Sequence, residues 1–279
     1  MLKTKSVNRL IANALILFTG IMLFEPLQAG TNDIIFSTAP TQSPEETLKN
    51  YQPLADYLSK VTGKHVIVKP AKNFVEYSSK MRAGEYDMLF DGPQFVKYRI
   101  EKQDHVLLAK QKGNLHFAVV VRKNSGVKNL KDLTLKRVCS PSTPHLGTLA
   151  FLDLFANPFR QPDIIPVQSF QEAMDCVTRG DATAAVVRDK FWNKVADKQD
   201  LKVVYMTERR LPGRGITISK KIDIETREKI AQALIHPDAT KYVEKAFSSI
   251  GGGKFAKADY SEYEGLDELL KVVWGFHTE

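Results

Sequence analysis

Residues 33–69 read DIIFSTAPTQSPEETLKNYQPLADYLSKVTGKHVIVK, two apolar runs on either side of a helical signal. The first run, 33–37, is a strand, and 38–44 after it is rich in turn formers. Ser43, with Pro44 at the first helical position and Glu46 three residues on, predicts a capped helix start. The serine hydroxyl and the glutamate carboxylate each take a backbone N–H that the first turn leaves unpaired. The helix is expected to reach Val61, restarting at Pro53, and Gly63 ends it. Residues 65–69, HVIVK, form the second strand. The stretch is one strand–helix–strand unit.

The rhythm continues outward. Asn73 caps a helix through Arg82 that closes at Gly84, then come a strand over 86–90, a helix over 93–101 and a strand over 105–110. Strands alternating with helices on short connections predict a mostly parallel sheet covered on both faces. A second round follows, with strands over 117–122 and 136–139, a helix over 146–156, and a strand over 163–167. It ends with a helix over 169–179, a strand over 183–187, a helix over 190–196 and a strand over 201–206. A loop over 208–215 leads to a strand over 216–219 and a helical tail over 223–235, 237–250 and 266–273. The fold class is α/β: two α/β units, joined by two crossings near 110–116 and 206–215 that would act as a hinge pair. The expected division is lobe I over 30–114 and 211–279, and lobe II over 115–210.

Composition sets outer limits. The chain has 279 residues, 43% hydrophobic and 26% charged, which excludes a disordered chain. Two cysteines exclude a disulfide-stapled scaffold or a multi-finger zinc protein. The N-terminus carries Lys3, Lys5 and Arg9, then fifteen uncharged residues over 10–24, then Glu25-Pro26-Leu27-Gln28-Ala29. That pattern predicts a secretory signal peptide over 1–29, cleaved after Ala29; an uncleaved membrane anchor is the alternative. The apolar run is shorter than the roughly 18 residues expected of a spanning helix. Losing three basic residues and one acid takes the formal charge from +8 to +6. A soluble periplasmic protein with that surplus meets small anions rather than DNA or RNA, and its basic residues form no nucleic-acid stripe.

Catalytic signatures are missing from the sequence. The six histidines show no HExxH spacing, and there is neither a GxSxG elbow nor a phosphate-binding P-loop. Gly251-Gly252-Gly253-Lys254 lacks the P-loop spacing and reads as a flexible join. No enzyme, metal or cofactor is expected. Cys139 and Cys176 form either one disulfide, as an oxidising compartment favours, or two buried thiols. Ser140-Pro141-Ser142-Thr143-Pro144-His145-Leu146-Gly147-Thr148 joins a strand to a helix start. Free N–H groups there, with the Ser142 and Thr143 hydroxyls and His145, would attract an anion. An ordinary Ser/Thr helix cap explains the same residues.

Phe36-Ser37-Thr38, Tyr51-Gln52-Pro53-Leu54-Ala55-Asp56-Tyr57-Leu58, the run from Met81 to Asp87, and Gly92-Pro93 resemble the phosphate/phosphite/phosphonate-type periplasmic binding proteins of ABC transporters. Val119 to Ser125, with Asn129-Leu130-Lys131-Asp132-Leu133, resembles that family's entry into its second domain, and Leu211-Pro212-Gly213 its return. The similarity spans most of 34–234. It implies a type II periplasmic-binding-protein fold, in which two α/β lobes joined by two crossover strands clamp a ligand by hinge closure. It also implies delivery of a small oxyanion, phosphonate- or phosphate-like, to an inner-membrane ABC permease by a monomer.

Matched residue by residue, the resemblance implies a ligand site at Phe74, His116, Ser142, Thr143, His145, Ser169, Asp189 and Arg214. Several positions depart from the family. Gly147 matches the glycine of its Ser-Thr-Ser-Gly turn, but Pro144, His145 and Leu146 stand where the three hydroxyl-bearing residues belong. Phe74 keeps an aromatic face without the hydroxyl of the family's tyrosine. Ser169 falls where phosphonate binders carry a histidine, and Asp189 matches a family acid. Arg214 falls where aminophosphonate binders place an acid for the ligand amine, and an arginine there suits an anionic arm. A rival reading makes the same clamp a ligand sensor for a membrane histidine kinase or cyclase; a more remote one makes it a secreted enzyme.

Overall fold

The computed structural model describes residues 33–195, 200–248 and 253–276. The expected signal peptide and most of the glycine join at 251–253 lie outside the described residues. The opening unit is β1 (Asp33–Thr38), α1 (Pro44–Thr62) and β2 (His65–Val68). Its capping box forms as expected: Ser43 Oγ accepts from Glu46 N at 3.2 Å, and Glu46 Oε2 accepts from Ser43 N at 3.3 Å. Gly63, at φ 72°, ends the helix. The helix does not restart at Pro53 but runs through it. Burial of Tyr51, Leu54, Ala55 and Leu58 on either side outweighs the roughly 3 kcal/mol that an internal proline costs.

The remaining elements of the first half are α2 (Phe74–Arg82), β3 (Met88–Asp91), α3 (Pro93–Lys102), β4 (His105–Gln111), β5 (Asn114–Leu115) and β6 (Phe117–Arg122). Then follow β7 (Arg137–Pro141), α4 (Leu146–Leu152), β8 (Asp163–Val167), α5 (Phe170–Arg179), β9 (Ala184–Arg188), α6 (Asp189–Val195) and β10 (Leu201–Met206). The last are β11 (Leu211–Pro212), β12 (Gly215–Ser219), α7 (Ile224–Ile235), α8 (Thr240–Ser248) and β13 (Phe255–Ala256). Helix α4 is shorter than expected. The tail past β13 forms two 3-10 turns, Tyr260–Tyr263 and Asp267–Leu270, instead of a helix over 266–273. Backbone hydrogen bonds three residues apart close these turns, and side chains tie the first of them down: Glu264 pairs with Lys97, Glu262 with Lys110, and the Tyr263 hydroxyl donates to Gly213 O.

Two mixed sheets carry the fold. One has the order β13-β4-β12-β3-β1-β2, the other β10-β6-β9-β7-β8. Parallel pairing is confined to β1 with β2 and β3, and to β7 with β8 and β9. The expected mostly parallel sheets are therefore corrected. Strand β12, from late in the chain, inserts antiparallel between β3 and β4. All five of its residues are buried, so it needs a hydrogen-bonded neighbour on each edge. Between the sheets, β5 and β11 pair antiparallel, Leu115 with Leu211 and Asn114 with Pro212. Gly213 follows immediately, where a Cβ would meet Gln111 O at 1.9 Å.

Behind β3 lies a fully buried ion pair. Arg99 of α3 donates to both oxygens of Asp91, at 2.6 and 2.7 Å, and to Thr217 Oγ1 of β12 at 2.8 Å. Tyr77 of α2 donates to the same Asp91. One charge cluster thus ties two helices and two strands together. Cys139 of β7 and Cys176 of α5 are joined as a disulfide, with Cα atoms 6.5 Å apart. Asp91→Ala would leave the Arg99 guanidinium buried and unpaired, and should cost about 3–5 kcal/mol in urea unfolding. A loss below about 1 kcal/mol would show that water or another group replaces the carboxylate.

Candidate functional site

The ends of β1, β2, β7, β8 and β9, with the segments that follow them, face one space. The β1–α1 loop brings Pro40 and Thr41, and the start of α2 brings Phe74. The β7–α4 turn brings Ser142 and His145, the start of α5 brings Ser169 and Phe170, and β9 ends on Arg188. Arg214 enters from the segment between β11 and β12. Together they line a cavity of about 270 Å³. A smaller space of about 30 Å³ shares Thr41, Phe74, His145, Phe170, Arg188 and Arg214 with it, and adds Gln94 and Gly92 at the start of α3. Ligands of open α/β sheets settle in this position, beyond the carboxyl ends of strands.

The β7–α4 turn is pinned from behind. Thr148 Oγ1 lies 2.7 Å from Ser140 Oγ and donates to Pro141 O at 2.5 Å. Gly147 lets α4 lie directly on Phe117, since a Cβ there would meet that ring at 2.5 Å. Gln94 Nε2 reaches across from α3 to Pro144 O at 3.0 Å, in a buried hydrogen bond between the two sheet halves. His145 is the N-terminal cap of α4, and its side chain makes no capping hydrogen bond. Its ring is met edge-on by Phe74, Phe117 and Phe170, at centroid distances of 6.2, 5.7 and 5.7 Å.

Charge decides the character of the cavity. Among the described residues no Asp or Glu lines either space, whereas Arg188, Lys190, Lys194 and Arg214 do. Arg214 Nη1 is buried without a hydrogen-bond partner, as are His145 Nδ1 and Gln94 Oε1. Burial, and then the neighbouring Arg214, push the Arg188 guanidinium below its usual pKa; Asp189, whose Oδ1 lies 3.2 Å from Arg188 Nε, opposes this. Burial lowers Arg214 as well. Burial foremost, with Arg214 and Arg188 adding to it, pushes His145 down to about 3, so its ring is neutral at pH 7. Guanidiniums keep their proton even so. The cavity therefore holds two partly desolvated positive charges beside a neutral imidazole.

The profile of the periplasmic substrate-binding proteins of phosphonate ABC transporters matches residues 36–263. The chain belongs to this family. Solved structures agree on the fold. PhnD1 of Prochlorococcus marinus, in complex with methylphosphonate, superposes with a TM-score of 0.72 at 15% identity, covering 87% of this chain and 98% of that one. XAC2383 of Xanthomonas citri, bound to ATP, gives 0.71 at 14% identity, covering 85% and 95%. A binding-protein component of an ABC phosphonate transporter from Pseudomonas aeruginosa gives 0.65 at 16% identity, covering 86% of each chain. Comparison with the curated proteins gives no sequence match. The fold of this phosphonate-family chain is that of the type II periplasmic binding proteins.

Of the residues singled out from the sequence, Phe74, Ser142, His145, Ser169 and Arg214 line the cavity. Ser169 also caps α5, its Oγ accepting from Glu172 N at 3.1 Å. Thr143, His116 and Asp189 are not among the lining residues. Thr143 is exposed, His116 Nδ1 lies 3.3 Å from Thr207 O, and Asp189 is engaged with Arg188. Sequence reading missed Arg188, Gln94 and Thr41. A strand expected to stop at Val187 runs one residue further, which puts Arg188 at its carboxyl end. A basic residue at that strand end was the available signal. Among the described residues no His/Cys/Asp/Glu cluster suits a metal, and no helix is long and apolar enough to cross a membrane.

The depressed His145 pKa has a stability consequence with a fixed sign. The unfolded histidine takes a proton near 6.5 and the folded one only near 3. Its contribution is complete above pH 6.5 and is lost as pH falls toward 3. Between pH 6.5 and 4.5 the protein should lose about 2–3 kcal/mol more than a His145→Gln variant does, by denaturant unfolding. Parallel curves for the two proteins would contradict a neutral buried ring.

Proposed function

We propose that the protein captures a small oxyanion, phosphonate- or phosphate-like, in the cavity between the two sheet halves and delivers it to an inner-membrane ABC permease. The observation that carries this reading is Arg214 Nη1, buried and unpartnered in a cavity that no acid lines. A donor left unsatisfied costs about 1–3 kcal/mol, and an oxyanion removes that cost while separating two guanidiniums that repel. His145, with a proton on Nδ1, adds a neutral donor at the same place. The Ser142 and Ser169 hydroxyls stand at the rim, and Phe74 gives an apolar wall. Asp189 acts through Arg188, which it orients.

The work is capture, not bond making. Lobe I over 30–114 and 211–279 and lobe II over 115–210 close on the ligand by bending at the β5 and β11 crossings. Gln94, which bonds to Pro144 O on the opposite side, holds the closed arrangement. The protein acts as a periplasmic monomer after loss of residues 1–29. Transport is preferred to sensing because the family is one of transporter components. An amine-bearing ligand is disfavoured, since the cavity offers it no carboxylate.

Thermal shift and calorimetry with methylphosphonate and inorganic phosphate test the reading. At least one should raise the melting temperature with concentration. Arg214→Gln should weaken its binding about 10- to 100-fold, as expected from losing a hydrogen bond to a charged partner. Unchanged affinity in Arg214→Gln would contradict the site.

A further inference from the structure

The cavity of about 270 Å³ is larger than one oxyanion needs, and much of its lining is apolar. Pro40, Pro141 and Val167 line it beside the rings of Phe74, Phe170 and Phe191, which come from α2, α5 and α6. The rings are in contact one after another. Phe74 and Phe170 each meet His145 edge-on, with centroids 6.2 and 5.7 Å away, and Phe170 meets Phe191 at 5.8 Å with the planes tilted by 47°. The guanidiniums of Arg214 and Arg188 act electrostatically on the same His145 ring, so the cationic and aromatic parts of the lining adjoin. Phe170 and Phe191 pack against the apolar core of their sheet half and are still only half-buried. Ring surface left beside water favours whatever apolar group covers it.

We infer that the preferred ligand carries an aromatic ring on its phosphonate or phosphate group, the oxyanion held by Arg214 and Arg188 and the ring packed among Phe74, Phe170 and Phe191. This rests on reading Arg214 as the oxyanion's partner. An apolar cavity of about 150 Å³ is enough to hold benzene. The cavity here exceeds that, with room of about 120 Å³ left for the acidic group beside such a ring. Methylphosphonate, with one carbon, leaves the phenylalanine rings to water. An aryl group displaces that water and adds edge and face contacts between rings, which a saturated group of the same bulk does not make.

Calorimetry with three probes tests this: methylphosphonate, phenylphosphonate, and cyclohexylphosphonate, which keeps the bulk of the second without its flat ring. The wild-type protein should bind phenylphosphonate at least about tenfold more tightly than methylphosphonate and about threefold more tightly than cyclohexylphosphonate. In Phe191→Ala the preference for phenyl over methyl should fall to within about threefold, and the milder Phe191→Leu should lower it as well. Each preference is a ratio within one protein, so a general weakening of the site cancels. Phenylphosphonate bound no more tightly than either other probe, or a preference untouched by both Phe191 variants, would overturn the inference while leaving oxyanion capture standing. No binding of any probe, inorganic phosphate included, would overturn both.

Discussion

The bidentate pair between Asp91 and Arg99 is the interaction on which the site's geometry depends. Asp91 ends β3 and Arg99 lies two turns into α3, so the pair fixes the helix whose first turn carries Gln94. Tyr77 ties α2, and hence Phe74, to the same carboxylate, and Thr217 ties β12, the strand that follows Arg214. Such a pair does not necessarily add stability over an apolar core, because both ions are desolvated. Its value is register: three lining elements are referred to one buried point. Burial lowers the Arg214 pKa, and Tyr51 and then Asp91 oppose that shift.

The cavity itself inverts that arrangement. In the core Asp91 and Arg99 satisfy each other, whereas at the cavity Arg214 keeps an unsatisfied nitrogen, and Arg188 bonds Asp189 and lies over the Phe117 ring. Two like charges in a partly dry space raise the free energy of the empty protein, and an anion lowers it. Holding His145 neutral prevents a third positive charge from adding to that repulsion. Pro144, His145 and Leu146 supply no hydroxyl where the resemblance implies three, and in the proposed reading charge from the arginines takes the place of those neutral donors.

Local signals fixed much of the fold in advance. Ser43 with Glu46, Asn73 and Asp223 mark helix starts through hydrogen bonds they make to their own chain, and the structure has each of those bonds. What escaped was non-local. No neighbour of residues 215–219 indicates that β12 enters between β3 and β4, because that pairing is settled by burial on both faces. The apolar spacing of 266–273 predicts a helix, but the structure has one 3-10 turn there, Asp267–Leu270, after a segment that Lys97 and Lys110 hold through Glu264 and Glu262. At the site, residues on loops after strands were legible from their position in the repeat. Arg188 was not, because a one-residue extension of β9 decides whether its side chain belongs to a strand end or to a helix start.

A crystal structure of the protein grown with methylphosphonate tests charge-based capture most directly. The expected result is a phosphonate in the cavity, with oxygens within hydrogen-bond distance of Arg214 Nη1 and of the Arg188 guanidinium. A phosphonate held by the backbone and hydroxyls of Ser142 and Thr143, with both guanidiniums uninvolved, would contradict it.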